Sequence, residues 1–154
     1  IHHRYARVRG EALDDVLLEG TNHDDVAHAR DHLGCILDRL APSVQEVLLH
    51  TVVNGESAGE TAAALGVSAP SVASRAYRAR ERLRQEYLSA QVPPTDVAEC
   101  AVCTDLLGAY VRGALRIRRH RQVEQHLGRC AECRRREEEV RLVNRSLPGT
   151  AFDH

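Results

Sequence analysis

The sequence predicts an all-α protein in two parts, a four-helix domain containing a helix-turn-helix and then a small three-helix domain. Three observations predict it. Apolar residues recur at three-, four- and seven-residue spacing through most of the chain, as in Val26, Leu33, Ile36, Leu37 and Leu40. Helix-start signatures precede these stripes, and no alternating run reads as a strand. Aromatic residues make up only 3% and Met and Trp are absent, so the core must be built from Leu, Val, Ala and Ile.

The elements follow in order. Residues 1–22 show no period and end in Gly20-Thr21-Asn22, which reads as a linker. A helix is expected from Asp24, ended by Ala41-Pro42, because the residue before proline is pushed out of the helical region. Ser43 and Glu46 have capping-box spacing, predicting a second helix with Val44, Val47 and Leu48 inward and a close at Asn54-Gly55. Ser57 and Glu60 form another box before a short helix through Ala62 and Leu65. Gly66-Val67 supplies a tight turn. Ser68 then opens a long helix to about Leu88, with Pro70 in its first turn, where the missing N–H costs little. Val72, Ala76, Ala79 and Leu83 face inward, and Arg75, Arg78 and Arg82 line the flank beside them. A short helix, a glycine turn and a longer basic helix make a helix-turn-helix.

Residues 89–98 read as a linker, with Asp96 and Glu99 placed to cap the next helix. That helix is expected to bury Val102, Cys103, Leu106, Leu107 and Tyr110 and to end at Gly113. Another runs from Ile117 to Leu127, with Val123 and Leu127 inward. A charged third helix follows Cys130-Ala-Glu-Cys133 to about Leu147.

The net charge of −1 conceals an asymmetry. Residues 1–72 carry 5 Arg and 11 acids, residues 73–98 carry 5 Arg and 3 acids, and residues 99–147 carry 11 Arg and 7 acids. Such a division suggests nucleic acid as partner, or one half docking on the other. That all 21 basic residues are Arg is as well explained by coding bias and carries no functional weight. Five clustered Cys, with no signal peptide or apolar run of spanning length, predict a soluble cytoplasmic protein with reduced thiols and no membrane partner. Ile1 reads as a cut or processed start.

The arginines lie on the second helix of the helix-turn-helix, which fits the major groove, where Arg bonds guanine edges and phosphates. The stretch from Leu37 to Leu88 resembles region four of the extracytoplasmic-function sigma factors of RNA polymerase. The resemblance is carried by Leu40-Ala-Pro-Ser-Val-Gln-Glu-Val-Leu-Leu, Gly55-Glu-Ser-Ala-Gly-Glu-Thr-Ala, Leu65-Gly-Val-Ser and Ser74-Arg-Ala-Tyr-Arg-Ala-Arg-Glu-Arg-Leu-Arg. It implies a domain that reads the −35 promoter element and binds the β flap of core RNA polymerase. It places Ser71, Ser74, Arg75, Arg78 and Arg80 where the family contacts DNA, although helical spacing sets Arg80 on the other flank. Ala73 stands where family members commonly carry Lys or Arg, a departure that should weaken DNA binding. The family's region two is not recognisable, and residues 1–22 read as a linker or its tail.

A second constellation has metal-ligand spacing. His126-x3-Cys130-x2-Cys133 puts one imidazole and two thiols within two helical turns, and a tetrahedral site needs one more ligand. Cys100 and Cys103 are the candidates. Cys103 falls on the apolar stripe with Leu106, Leu107 and Tyr110 and reads as core, whereas Cys100 lies off that stripe, free to turn toward His126. So small a helical domain has little core of its own, and metal binding can supply its folding energy. Residues Cys100 to Cys133, with Leu106-Leu107, Tyr110, Gly113 and Glu124-Gln-His-Leu, resemble the zinc-associated anti-sigma domain, whose Cys-to-His interval also selects Cys100. The resemblance implies Zn2+ on Cys100, His126, Cys130 and Cys133, and a domain that keeps a sigma factor off polymerase, in some members until its thiolates are oxidised. Cys35, on the first helix, is expected to be buried and inert.

The organisation expected is thus region four over 23–88, a linker over 89–98, a zinc-binding anti-sigma-like domain over 99–147 and a tail over 148–154. The function expected is promoter reading modulated by a fused zinc domain that contacts region four within one chain or between chains. The alternative is a DNA-binding regulator whose basic zinc domain adds nucleic-acid contacts. Catalysis is not expected, because protein ligands fill the metal site and no nucleophile or carboxylate arrangement is evident.

Overall fold

The computed structural model describes residues 35–147, and every regular element among them is helical. The expected start at Asp24, the 1–22 linker and the 148–154 tail lie outside the described residues. Residues 35–38 are helical, and then come α1 (Pro42–Leu48), a π-helical turn (Leu49–Val53), α2 (Ala58–Leu65), α3 (Ala69–Ala90), α4 (Ala98–Val111), α5 (Ile117–Arg129) and α6 (Ala131–Arg145). Packing divides the chain into two compact units after Leu83, so the last two turns of α3 belong to the second unit. No helix among the described residues is long and apolar enough to cross a membrane.

In the first unit, α1 starts two residues earlier than the Ser43–Glu46 signature predicts, and that capping box is not made. Pro42 takes the first helical position and leaves Ala41 as N-cap at ψ 143°, extended as a residue before proline must be. Ser43 is then already inside the helix. Gln45 fastens the preceding turn instead, its amide donating to the carbonyls of Leu37 (2.7 Å) and Leu40 (3.0 Å). After Leu48 the helix widens into the π turn, closed by Asn54 N–H donating to the Leu49 carbonyl and tied by Thr51 Oγ1 donating to the Val47 carbonyl. The Ser57–Glu60 box of α2 is present in both directions, and Gly66 ends that helix at φ +63°, a conformation glycine adopts without strain. Ile36, Leu40, Val47, Leu48, Val72 and Leu83 are buried, the inward stripe of α3 among them. Cys35 is exposed, against the expectation of burial: it lies beside Ile36, the position that turns inward.

In the second unit, the end of α3 (84–90) lies against α4 at Gly108. A Cβ there would stand 2.2 Å from the Gln85 carbonyl oxygen and 2.8 Å from the Ser89 amide nitrogen, so the two backbones meet where only glycine fits. Leu88, Leu107 and Val123 are fully buried around the packed α4, α5 and α6. Buried Arg112 joins the end of α4 to α6 through Asn144 at 3.0 Å. Neither Asp96 nor Glu99 caps α4. Val97 is its N-cap and makes no side-chain bond, while Glu99 sits inside the first turn. Val102 is 42% exposed rather than buried, because the inward arc of α4 runs through Cys100, Cys103, Thr104 and Leu107. Gly113 follows the helix end at φ +66°, as expected.

Candidate metal centre and nucleic-acid interface

Three helices supply the metal constellation. Cys100 lies in the first turn of α4, and His126 in the last turn of α5. Cys130 links α5 to α6 as the C-cap of one and N-cap of the other, and Cys133 follows in the first turn of α6. The donor atoms of these four residues all lie within 4.8 Å of one another. Cys100 Sγ is 3.8 Å from Cys130 Sγ, and His126 Nε2 is 3.2 Å from Cys133 Sγ. A metal–sulfur bond of about 2.3 Å gives a tetrahedron with an S···S edge of about 3.8 Å, so the thiol pair has the separation a tetrahedral metal would impose. The 3.8 Å separation also means no disulfide joins them, and all five cysteines are free.

The surroundings shift two of these thiols in opposite directions. Burial pushes the Cys133 thiol strongly upward, helped by its hydrogen bonds with Cys100 and Cys130. The backbone amide of Cys133 is the main influence holding the Cys130 thiol below its ordinary value. Three sulfur donors and an imidazole, with Cys100, His126 and Cys133 buried, suit a metal taking nitrogen and thiolate, and they leave no open position on a four-coordinate ion. Cys103 is one turn further along α4, 3% exposed, its thiol pushed up mainly by burial, and it is outside the four-donor group.

The DNA-facing candidates all fall on α3. Arg75 and Ser74 are exposed, and Ser71 and Arg80 are half-buried. Arg78 is exposed and folded back on Ser74, donating from Nε to its carbonyl (3.2 Å) and from a terminal nitrogen to its hydroxyl (2.6 Å). Ser74 and Arg78 therefore form one preset donor group. Arg80 lies away from this face, as the helical spacing predicts.

The sequence reading missed two arrangements. Gly108, in the middle of an apolar helix, marks a close helix crossing, and an isolated glycine at such a position is the available signal. Tyr110 lies against His120 with ring centroids 5.0 Å apart, and the Arg141 guanidinium lies 5.9 Å over the same ring, a layer joining α4, α5 and α6 that no local spacing reveals.

Residues 30–83 match the family model described as Sigma-70, region 4, and residues 100–134 match the one described as a putative zinc-finger. Comparison with curated proteins and with solved structures finds no match. Both matched families are transcription-regulatory rather than enzymatic. The chain thus carries a Sigma-70 region 4 segment followed by a zinc-finger segment of anti-sigma type.

Proposed function

We propose that this chain works in the cytoplasm as a promoter-reading sigma-factor domain carrying its own zinc-dependent regulator. The observation that carries the reading is the presence, in one chain, of a region-four match and an anti-sigma-type match whose four expected ligands converge. In this reading α3 enters the major groove at the −35 element. Arg75 and the Ser74–Arg78 pair face bases and phosphates, Ser71 packs at the groove edge, and Arg80 reaches the backbone from the other flank. The first unit also engages the β flap of core RNA polymerase.

The second unit holds Zn2+ through Cys100, His126, Cys130 and Cys133. When bound, zinc supplies folding energy by joining the ends of three helices, and it leaves no site for catalysis. Cys100 fixes the start of α4, His126 the end of α5, and Cys130 with Cys133 the start of α6. The folded zinc domain limits access of region four to polymerase and DNA, by contact within one chain or between two. Metal loss then loosens the three helices and relieves the restriction.

The test is association of the full chain with core polymerase, measured with zinc bound and after chelation, and again for Cys133→Ser. Tighter association after chelation, reproduced by Cys133→Ser without chelator, supports the regulatory role. Equal association in all three states refutes it.

A further inference from the structure

The second unit contains two arginine-rich helices that treat their charge in opposite ways. On α6, Arg135 pairs with Glu132 at 2.8 Å and Glu139 at 2.7 Å, Arg136 pairs with Glu132 at 3.0 Å, and Arg141 pairs with Glu137. That helix pairs three of its five arginines with its own acids and places Glu132 in its first turn, where the helix dipole favours an acid. On α5 nothing comparable happens. No acid occurs between Asp105 and Glu124, and Glu124 is 3.2 Å from His120. Arg118, Arg121 and Arg129 make no ion pair or hydrogen bond among the described residues.

Helical spacing aligns Arg118, Arg121, Gln125 and Arg129 along one stripe, opposite the inward residues Val123 and Leu127, and all four are exposed. The placement is unfavourable for the helix itself. Arg116 is the N-cap, Arg118 and Arg119 fall in the first turn, and no acid accompanies them at the positive end of the dipole. Arg118 opposes its own helix dipole while Arg129, in the last turn, does not, but none of the three stripe arginines has an ion pair among the described residues, and that unmatched charge points to an external anion.

The chemistry of the stripe selects the anion. It holds no apolar side chain, so it lacks the buried anchor around which protein interfaces are built. Arginine and glutamine are phosphate donors, and the 12 residues from Arg118 to Arg129 extend the stripe over about 16 Å, the length of two or three backbone phosphates. We propose that the outer face of α5 binds the phosphate backbone of duplex DNA through Arg118, Arg121 and Arg129, with Gln125 between them. The proposal is independent of whether the zinc domain restrains region four, and requires only that the second unit be folded.

The experiment measures binding of the full chain to a duplex of arbitrary sequence by fluorescence anisotropy, from 50 to 200 mM salt. The proteins are the wild type, Arg118→Gln/Arg121→Gln/Arg129→Gln, Arg135→Gln, and Arg75→Ala/Arg78→Ala. Unchanged metal content and far-ultraviolet circular dichroism establish that each remains folded. Loss of three phosphate contacts lowers the slope of log K against log salt by about 2.7, so between 50 and 200 mM the wild type loses roughly 40-fold more affinity than the triple variant. Arg135→Gln, at an arginine already paired with acids of its own helix, keeps the wild-type slope, and Arg75→Ala/Arg78→Ala retains salt-dependent binding through the stripe. A folded triple variant with the wild-type slope overturns the proposal. So does complete loss of DNA binding in Arg75→Ala/Arg78→Ala. Unchanged DNA binding with weakened association to core polymerase also overturns it and assigns the stripe to a protein surface.

Discussion

Replacing Gly108 by alanine sets two effects of known sign against each other. Alanine is favoured over glycine within a helix by about 1 kcal/mol, so an unobstructed site would gain stability. At Gly108 the new methyl carbon would stand 2.2 Å from the Gln85 carbonyl oxygen and 2.8 Å from the Ser89 amide nitrogen, both backbone atoms that no rotamer change can move. Ordinary contact begins near 3.4 Å, so α4 and the end of α3 must separate by about 1.2 Å. A gap of that size forfeits much of the packing between the helices, and overpacking of this kind costs about 1–3 kcal/mol. The clash therefore outweighs propensity, and Gly108→Ala should be net destabilising by about 1–2 kcal/mol. Gly128 on α5 is the internal control, because a Cβ there meets nothing within 4 Å and alanine should stabilise by up to about 1 kcal/mol. Thermal unfolding of the metal-loaded chain, followed by helical circular dichroism, reads both, with about 4–8 °C in Tm for each kcal/mol in a unit of this size. If Gly108→Ala is as stable as Gly128→Ala, the close crossing of α3 and α4 is wrong.

Other consequences can be checked separately. Cys100→Ala should abolish stoichiometric zinc, whereas Cys103→Ala should retain it at a packing cost of about 1 kcal/mol; metal analysis of the two purified variants separates ligand from core thiol. Ser57→Ala should destabilise the first unit by about 1 kcal/mol in denaturant melts at pH 7. Hydrogen bonds from Ser57 hold the Glu60 carboxyl below its ordinary value, so the box is intact above that value and its contribution fades as pH falls through the lowered one. The stability difference between wild type and Ser57→Ala should shrink over that acid range, and a difference independent of pH would refute the Glu60 half of the box. Arg75→Ala and Arg78→Ala should each lower the salt slope of promoter binding, assayed with polymerase holoenzyme, by about 0.9, and an unchanged slope would make that face a solvated surface.

Features set by local rules were legible in the sequence. The Ser57–Glu60 box, the glycine turn and the inward stripe Val72, Ala76, Ala79 and Leu83 follow from spacing alone, and all are present. So does the convergence of Cys100 with His126, Cys130 and Cys133, because the three-residue interval after His126 spans one helix end and Cys103 faces the core. Where two local rules compete, spacing does not decide. Ser43–Glu46 has the form of a capping box, but Pro42 takes the first helical position and makes Ala41 the cap. Thr95 adds a similar case: its hydroxyl accepts from Val97 N–H and leaves Val97, rather than Asp96, at the start of α4. Exposure of Val102 and the crossing at Gly108 depend on which neighbours α4 meets, and a single helix does not carry that information. The wide turn after Leu48, within which Thr51 bonds back to Val47, is likewise not anticipated by a 3.6-residue period.

The most direct test of the metal centre is X-ray absorption at the zinc edge of the full chain, purified with one equivalent of zinc. The account predicts three sulfur scatterers at about 2.3 Å and one imidazole nitrogen at about 2.0 Å, in wild type and in Cys103→Ala alike. A shell of four sulfurs that loses one in Cys103→Ala, or a shell dominated by oxygen, would contradict it.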